Sequence, residues 1–308
     1  MAKLDERAKG VFVIAVTPFG ENGELDLEST DRLVDFYLEK GATGLTVLGM
    51  MGEAPKLTAD ESERFVARVM KRVGSDFPVV VGVSSPGLAS MGELSRRVMD
   101  LGVSGVMVTP VSTLRSDDQL FNYFESVADT LGAEIPFVLQ DFPLATGVQM
   151  ATSVISRIVA ALPTCVMLKH EDWPGLSKIE ALRAAEKKGA RRISILTGNG
   201  AMFLPEEMRR GADGAMTGFA YPEMMADIVK AHNAGQQDRA QDLFDAYVPL
   251  ARYEQQPGLG LAVRKYTLAK RGAIATPTLR RPGPKLSAAD MADIDYMVGR
   301  LTQRLAQI

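Results

Sequence analysis

Thr164-Cys-Val-Met-Leu-Lys-His-Glu-Asp-Trp-Pro-Gly175 decides how the chain is read. Small and apolar residues lead into Lys169, charges follow at Glu171 and Asp172, and Pro174-Gly175 supplies a turn signal. This is the pattern of a short buried strand with its charges at one end. Successive strand side chains point to opposite faces, so Cys165, Met167, Lys169 and Glu171 are expected on one face. Val166, Leu168 and His170 are expected on the other. If the first face is a barrel interior, an amine and a carboxylate meet where neither charge is well solvated. That pairing suits Schiff-base chemistry, in which a deprotonated amine attacks a ketone and a neighbour shuttles protons. A half-buried ion pair at a strand end is the structural alternative.

The chain has 308 residues, 46% hydrophobic and 24% charged, with mean hydropathy +0.01. These values describe a globular protein with a sizeable core, as one large domain or a large and a small one. A net charge of −3 and a pI near 5.6 give no signal for nucleic acid or an anionic membrane. The single cysteine, Cys165, precludes an intramolecular disulfide and reads as a packing residue. The N-terminus lacks an apolar core of signal-peptide length, and no run of about eighteen apolar residues follows, so a cytoplasmic protein is expected. His170 and His232 are the only histidines and lie far apart. No transition-metal site and no cofactor are therefore expected, although counting leaves a carboxylate-only magnesium site open.

Outward from 164–175, one alternation fills most of the chain. Apolar runs occur at 11–16, 44–48, 78–83, 105–109, 135–140, 164–169, 192–197 and 214–217. Between and after them, helical spacing occupies 28–40, 59–73, 88–101, 117–131, 151–161, 177–188, 202–210 and 222–233. Gly41, Gly74, Gly102, Gly132, Gly189 and Gly211 fall where helix C-caps belong. Strand-helix units of roughly 30 residues with near-continuous apolar strands predict an α/β fold, a (β/α)8 TIM barrel over 1–234. A doubly wound sheet is the alternative, disfavoured because no Gly-x-Gly-x-x-Gly follows the first strand. Residues 235–308 read as a helical appendage, with helices over 238–253, 258–271 and 287–307 around a Pro-rich stretch at 276–285.

Barrel chemistry belongs at the C-terminal ends of the strands. These ends carry Thr17-Pro18, Gly49-Met50-Met51-Gly52-Glu53, Thr109-Pro110-Val111-Ser112, Gln140-Asp141, Lys169 with Glu171, Gly198-Asn199 and Met216-Thr217-Gly218. The Gly49–Gly52 turn can form a nest of N–H groups for a carboxylate. A polar, largely uncharged pocket around one amine suits a small hydroxylated 2-oxo acid better than a phosphorylated substrate. His170 is expected to face the helical layer as a packing residue, and Glu53 to cap a helix start. Trp173 could wall the pocket or pack the loop, and the methionines read as core or subunit contacts.

With Ala15-x-Thr17-Pro18-Phe19, Gly49-x-x-Gly52-Glu53 and Leu57-Thr58-x-x-Glu61 early in the chain, it resembles the dihydrodipicolinate synthase/N-acetylneuraminate lyase family. Thr109-Pro110, Pro143 with Thr146-Gly147, and Lys169 extend the likeness across barrel and tail. The resemblance implies a Schiff base between Lys169 and a small 2-oxo acid, and a homo-oligomer, tetramer or dimer. It also implies a substrate carboxylate held by the N–H groups of Met50 and Met51 and by Thr hydroxyls. The expected substrate-binding set is Thr17, Met50, Met51, Ser112, Gly198, Asn199 and Thr217. Against the synthase pattern, two turn threonines are replaced by Met50 and Met51. Two relay tyrosines are replaced by Ser112 and Gln140, and an arginine by Ala145. Glu171 stands where the synthases carry a small residue. With catalytic residues Lys169, Glu171 and Gln140, the chain resembles the branch typified by 2-keto-3-deoxy-L-arabonate dehydratase. A lyase that dehydrates such sugar acids is the expected activity. The alternatives are a dihydrodipicolinate synthase, a pyruvate-dependent aldolase, or a keto-acid-binding protein without turnover.

Overall fold

In the computed structural model, which describes residues 3–173 and 175–308, every expected apolar run overlaps a strand. The strands are β1 (Gly10–Ile14), β2 (Gly44–Val47), β3 (Val79–Gly82), β4 (Gly105–Val108), β5 (Phe137–Asp141), β6 (Cys165–His170), β7 (Ser194–Thr197) and β8 (Gly214–Ala215). Each pairs in parallel with the next, and β8 returns to β1 to close the barrel. Closure depends on glycine. Gly214 has φ +149°, and a Cβ there would lie 1.9 Å from the Gly10 carbonyl oxygen. Pro174, half of the expected turn signal, lies outside the described residues.

Strands buried on both faces explain the continuous apolar runs, because one face fills the barrel and the other meets the helices. Phe12, Ile14, Val80, Met107, Val138, Met167, Leu196 and Met216 pack together inside. Val11, Val13, Val79, Val81, Val106, Val108, Phe137 and Leu139 belong to the outer layer. The glycines placed at helix ends all adopt the positive φ that a C-cap requires. Met224 and Met225 are fully buried in the outer core.

The alternation expected through 165–171 fails at its start. β5 and β6 pair Phe137 with Cys165 but Val138 with Met167, which leaves Val166 as an inserted residue. Val166 and Met167 both join the inner cluster, whereas Cys165 lies outside with Leu168. Cys165 thus does not share the face of Lys169. Burial pushes its thiol up to about 12, as befits an inert packing residue.

Beyond the barrel, helices span Gln237–Glu254, Gly260–Lys270 and Ala288–Leu305, the last opened by a Ser287/Asp290 capping box. Lys265 ties them to the barrel mouth. Its fully buried ammonium donates to Thr17 O (2.7 Å), Glu53 Oε1 (2.6 Å) and Thr278 O (2.9 Å). Glu53 is therefore structural through this ion pair. Its side chain caps no helix; its other oxygen accepts from Lys56 Nζ and Arg280 N–H.

A second buried carboxyl sits on the helix Leu204–Arg209. Burial pushes Glu207 up to about 7, and among the described residues its Oε2 has no hydrogen-bond partner. Folding then favours the protonated form, so this group stabilises nothing extra below its unfolded value. It weakens the fold as pH rises from about 4.5 to about 7. Glu207→Gln should remove that loss: in thermal melts the variant should gain on wild type by roughly 1–3 kcal/mol between pH 5 and pH 8. A pH-independent difference would contradict this account.

Candidate active site

Downstream of the bulge, β6 keeps strict alternation, so Lys169 enters the barrel and His170 faces the helices. Lys169 and Gln140 are register partners on neighbouring strands. The ladder continues one residue past β6, because Glu171 N–H donates to Asp141 O at 2.8 Å. Glu171 is thereby held inward. Its Oε1 lies 3.0 Å from Lys169 Nζ and accepts from Gln140 Nε2 at 2.6 Å. All three side chains are buried. A carboxylate accepts only, so the Gln140 amide is oriented with its NH2 toward Glu171.

Space for the carboxylate comes from β7 and the turn after it. A Cβ on Gly198 would sit 2.2 Å from Glu171 Cγ. The next residues, Asn199, Gly200 and Ala201, have φ of 50°, 63° and 62°, a left-handed run that non-glycine residues seldom adopt. It directs Asn199 Nδ2 to Glu171 O at 2.9 Å and Asn199 N–H toward Glu171 Oε2 at 3.4 Å. Thr217 Oγ1 holds the same turn by accepting from Gly200 N–H at 2.9 Å. Gly198, Asn199 and Thr217 thus gather around Glu171.

Across the mouth, Gly49 to Glu53 form a tight turn between left-handed Leu48 and Glu53. Thr17 Oγ1 donates to Gly52 O at 2.6 Å, so this hydroxyl positions the turn. Gly52 and Glu53 N–H bond back to Gly49 and Met50, whereas Met50 and Met51 N–H take no backbone acceptor among the described residues. Two adjacent amides without a backbone acceptor are the kind of group from which a nest is built. The Met51 side chain packs against the interior cluster, and Met50 is exposed. Ser112 stands exposed on the loop after β4, where its carbonyl accepts from Arg115; no hydrogen bond joins it to Glu171 or Lys169.

His170 packs as expected, its Nε2–H donating to Gly175 O at 2.9 Å. Trp173 stacks edge-on against Phe203, with ring centroids 4.6 Å apart, and both remain part-exposed. Sequence reading did not single out Phe203 because its partner comes from the preceding strand-helix unit. It also passed over Thr46, whose buried hydroxyl has no hydrogen-bond partner among the described residues; period-two alternation along 44–48 was the available signal. Among the described residues, no group of three or more His, Cys, Asp or Glu is arranged to hold a metal ion. A cavity of about 860 Å³ lies elsewhere, lined by Asn22, Tyr266, Arg281 and Lys285, so volume alone does not single out Lys169.

Comparison with known proteins gives this geometry a context. The model of the dihydrodipicolinate synthetase family matches residues 7–298. An L-2-keto-3-deoxyarabonate dehydratase from Azospirillum brasilense is 30% identical over 96% of this chain and 95% of its own length. A 4-hydroxy-tetrahydrodipicolinate synthase from a Thermotoga species is 28% identical over 79% and 82%. A crystal structure described as dihydrodipicolinate synthase from Rhodopseudomonas palustris is 50% identical. It superposes with TM-score 0.96 over 97% of this chain and 100% of that one. The match along the chain, with a buried lysine at the C-terminal end of β6, leads to one conclusion: the protein belongs to the dihydrodipicolinate synthetase family, whose members are class I Schiff-base lyases, aldolases or dehydratases.

Proposed function

We propose that this enzyme dehydrates a 2-keto-3-deoxy sugar acid, of the L-arabonate kind, through a Schiff base on Lys169. The observation that carries the reading is the Glu171 carboxylate, 3.0 Å from Lys169 Nζ and fixed by Gln140 at 2.6 Å. The Lys169 amine attacks C2, and the carbonyl oxygen leaves as water, giving an iminium ion. Glu171 removes a C3 proton, and its electron pair forms the C2=C3 bond of an enamine. That enamine expels the C4 hydroxyl, which departs as water with the proton returned from Glu171. Water then hydrolyses the imine and frees Lys169. Met50 and Met51 N–H hold the substrate carboxylate, and Gln140 orients the base.

A synthase reaction is the second reading, favoured by the name of the 50% identical R. palustris structure. Against it stand Glu171 as an added base and Ala145, exposed on the short helix Pro143–Thr146. With no arginine at 145, a second substrate's carboxylate has no guanidinium there to meet it. With the dehydratase reading we associate a homo-oligomer, tetramer or dimer, in the cytoplasm. Light scattering tests the first, since a monomer at working concentration would exclude it.

Borohydride treatment with pyruvate should add mass at Lys169 alone, and Lys169→Ala should abolish both adduct and turnover. Pyruvate also isolates the base, because on the enzyme its methyl hydrogens exchange with deuterium through the enamine, faster than by enolisation in water. Glu171→Gln should keep the adduct and lose exchange and dehydration by about 10²–10⁴ fold. Offered 2-keto-3-deoxy-L-arabonate, or pyruvate with aspartate semialdehyde, the wild type should turn over the first. Efficient condensation of the second pair would establish the synthase reading instead. Activity should also survive exhaustive chelation; loss that Mg²⁺ or Zn²⁺ restores would refute a metal-free mechanism.

A further inference from the structure

We propose that Lys178, which touches no reacting atom, is a positioning residue that sets the Glu171 carboxylate against Gln140 and Lys169. The inference rests on Glu171 being the base. Lys178 lies in the first turn of the helix Leu176–Lys187, where a cation opposes the helix dipole. Its buried ammonium is held there by two carboxylates, Asp141 Oδ2 at 2.6 Å and Asp172 Oδ2 at 2.7 Å. Asp141 follows Gln140 in β5, and Asp172 follows Glu171 after β6. One cation thus grips the sequence neighbours of both residues of the inner hydrogen bond.

These ties close a ring around the Glu171 main chain. Glu171 N–H donates to Asp141 O, Asp141 Oδ2 accepts from Lys178, and Lys178 reaches Asp172, the residue bonded to Glu171. Alternation makes the consequence geometric: what Asp141 binds on the helical side fixes the peptide that carries Gln140 inward. Asn199 holds the Glu171 side of this ring, but little else holds the Asp141 side chain. Among the described residues, Asp141 Oδ1 and His170 Nδ1 have no hydrogen-bond partner, and His170 Nδ1 stands 3.8 Å from Asp141 Oδ2. Lys178 is the only hydrogen-bonding partner of the fully buried Asp141 side chain among the described residues. Displacing it shifts the very carboxylate whose placement proton transfer requires, and a misplacement of about 1 Å lowers such rates by roughly 10² fold.

The test compares two readouts on the full-length enzyme with pyruvate. Imine formation, read as borohydride adduct at Lys169, needs the amine. Methyl-deuterium exchange, read by NMR, needs the amine and the placed base. Lys178→Met should keep the wild-type adduct while exchange falls by about 10² fold. Asp172→Asn, which loosens one tie and leaves Asp141 paired, should do the same by about tenfold. Wild-type exchange in folded Lys178→Met, or adduct and exchange falling together, overturns the proposal. If Lys178→Met does not fold, Asp172→Asn decides alone, and wild-type exchange in it is equally fatal. Glu171→Gln run alongside separates the failures. If it retains exchange, the base assignment is wrong; if it loses exchange while Lys178→Met does not, only the positioning role is.

Discussion

A carboxylate held inside an apolar barrel between an amine and an amide is the constraint around which this structure is arranged. Burial opposes charge, so Glu171 is tolerable only where donors meet it, and Gln140, Lys169 and the Asn199 N–H converge there. Room for it requires glycine at 198, and the converging N–H requires a left-handed turn at 199–201. Local strain and a missing side chain are thus features of one site, stabilised by the packed barrel beneath.

The opposite side of the mouth depends on a different buried pair. Lys265 and Glu53 meet 212 residues apart in sequence and join the end of β1, the glycine turn and the segment at Thr278. Removing one partner would leave an uncompensated charge in the interior, which is far more damaging than replacing both. The amides of Met50 and Met51 thus sit in a turn braced from below by Thr17 and from behind by the helical tail. Arg264 makes a similar link at β8, bonding Glu254 at 2.5 Å and Gly218 O at 2.6 Å.

Much of this was legible in the sequence, for identifiable reasons. Strands announced themselves as near-continuous apolar runs and helices through period-3.6 burial, and the C-caps through glycines that alone tolerate positive φ at little cost. Lys169 stood out because a cation at the end of an apolar run is rare. The turn at Met50–Gly52 was marked by its flanking glycines, whereas Asn199–Ala201 and the short helix Pro143–Thr146 are too brief to carry a period. The partner of Glu53 is unreadable locally, since nothing in Gly49–Glu53 points to residue 265. Lys178 escaped for a related reason: it looked like an ordinary helix cation, and its partners become neighbours only when β5, β6 and the following helix are packed.

Val166 carries a consequence for how such motifs are compared. A strand works like a two-state counter, and one inserted residue resets it, so every side chain after the bulge holds the phase opposite to the one counted from Cys165. A homologue could preserve Lys-x-Glu letter for letter yet, lacking the insertion, present both groups to its helices and be catalytically blind. Conversely, a chain whose letters are out of step could have a working interior. Alignment columns record identity, but they do not record phase. For this fold, the residue that guarantees the lysine's address is an unremarkable valine three positions upstream.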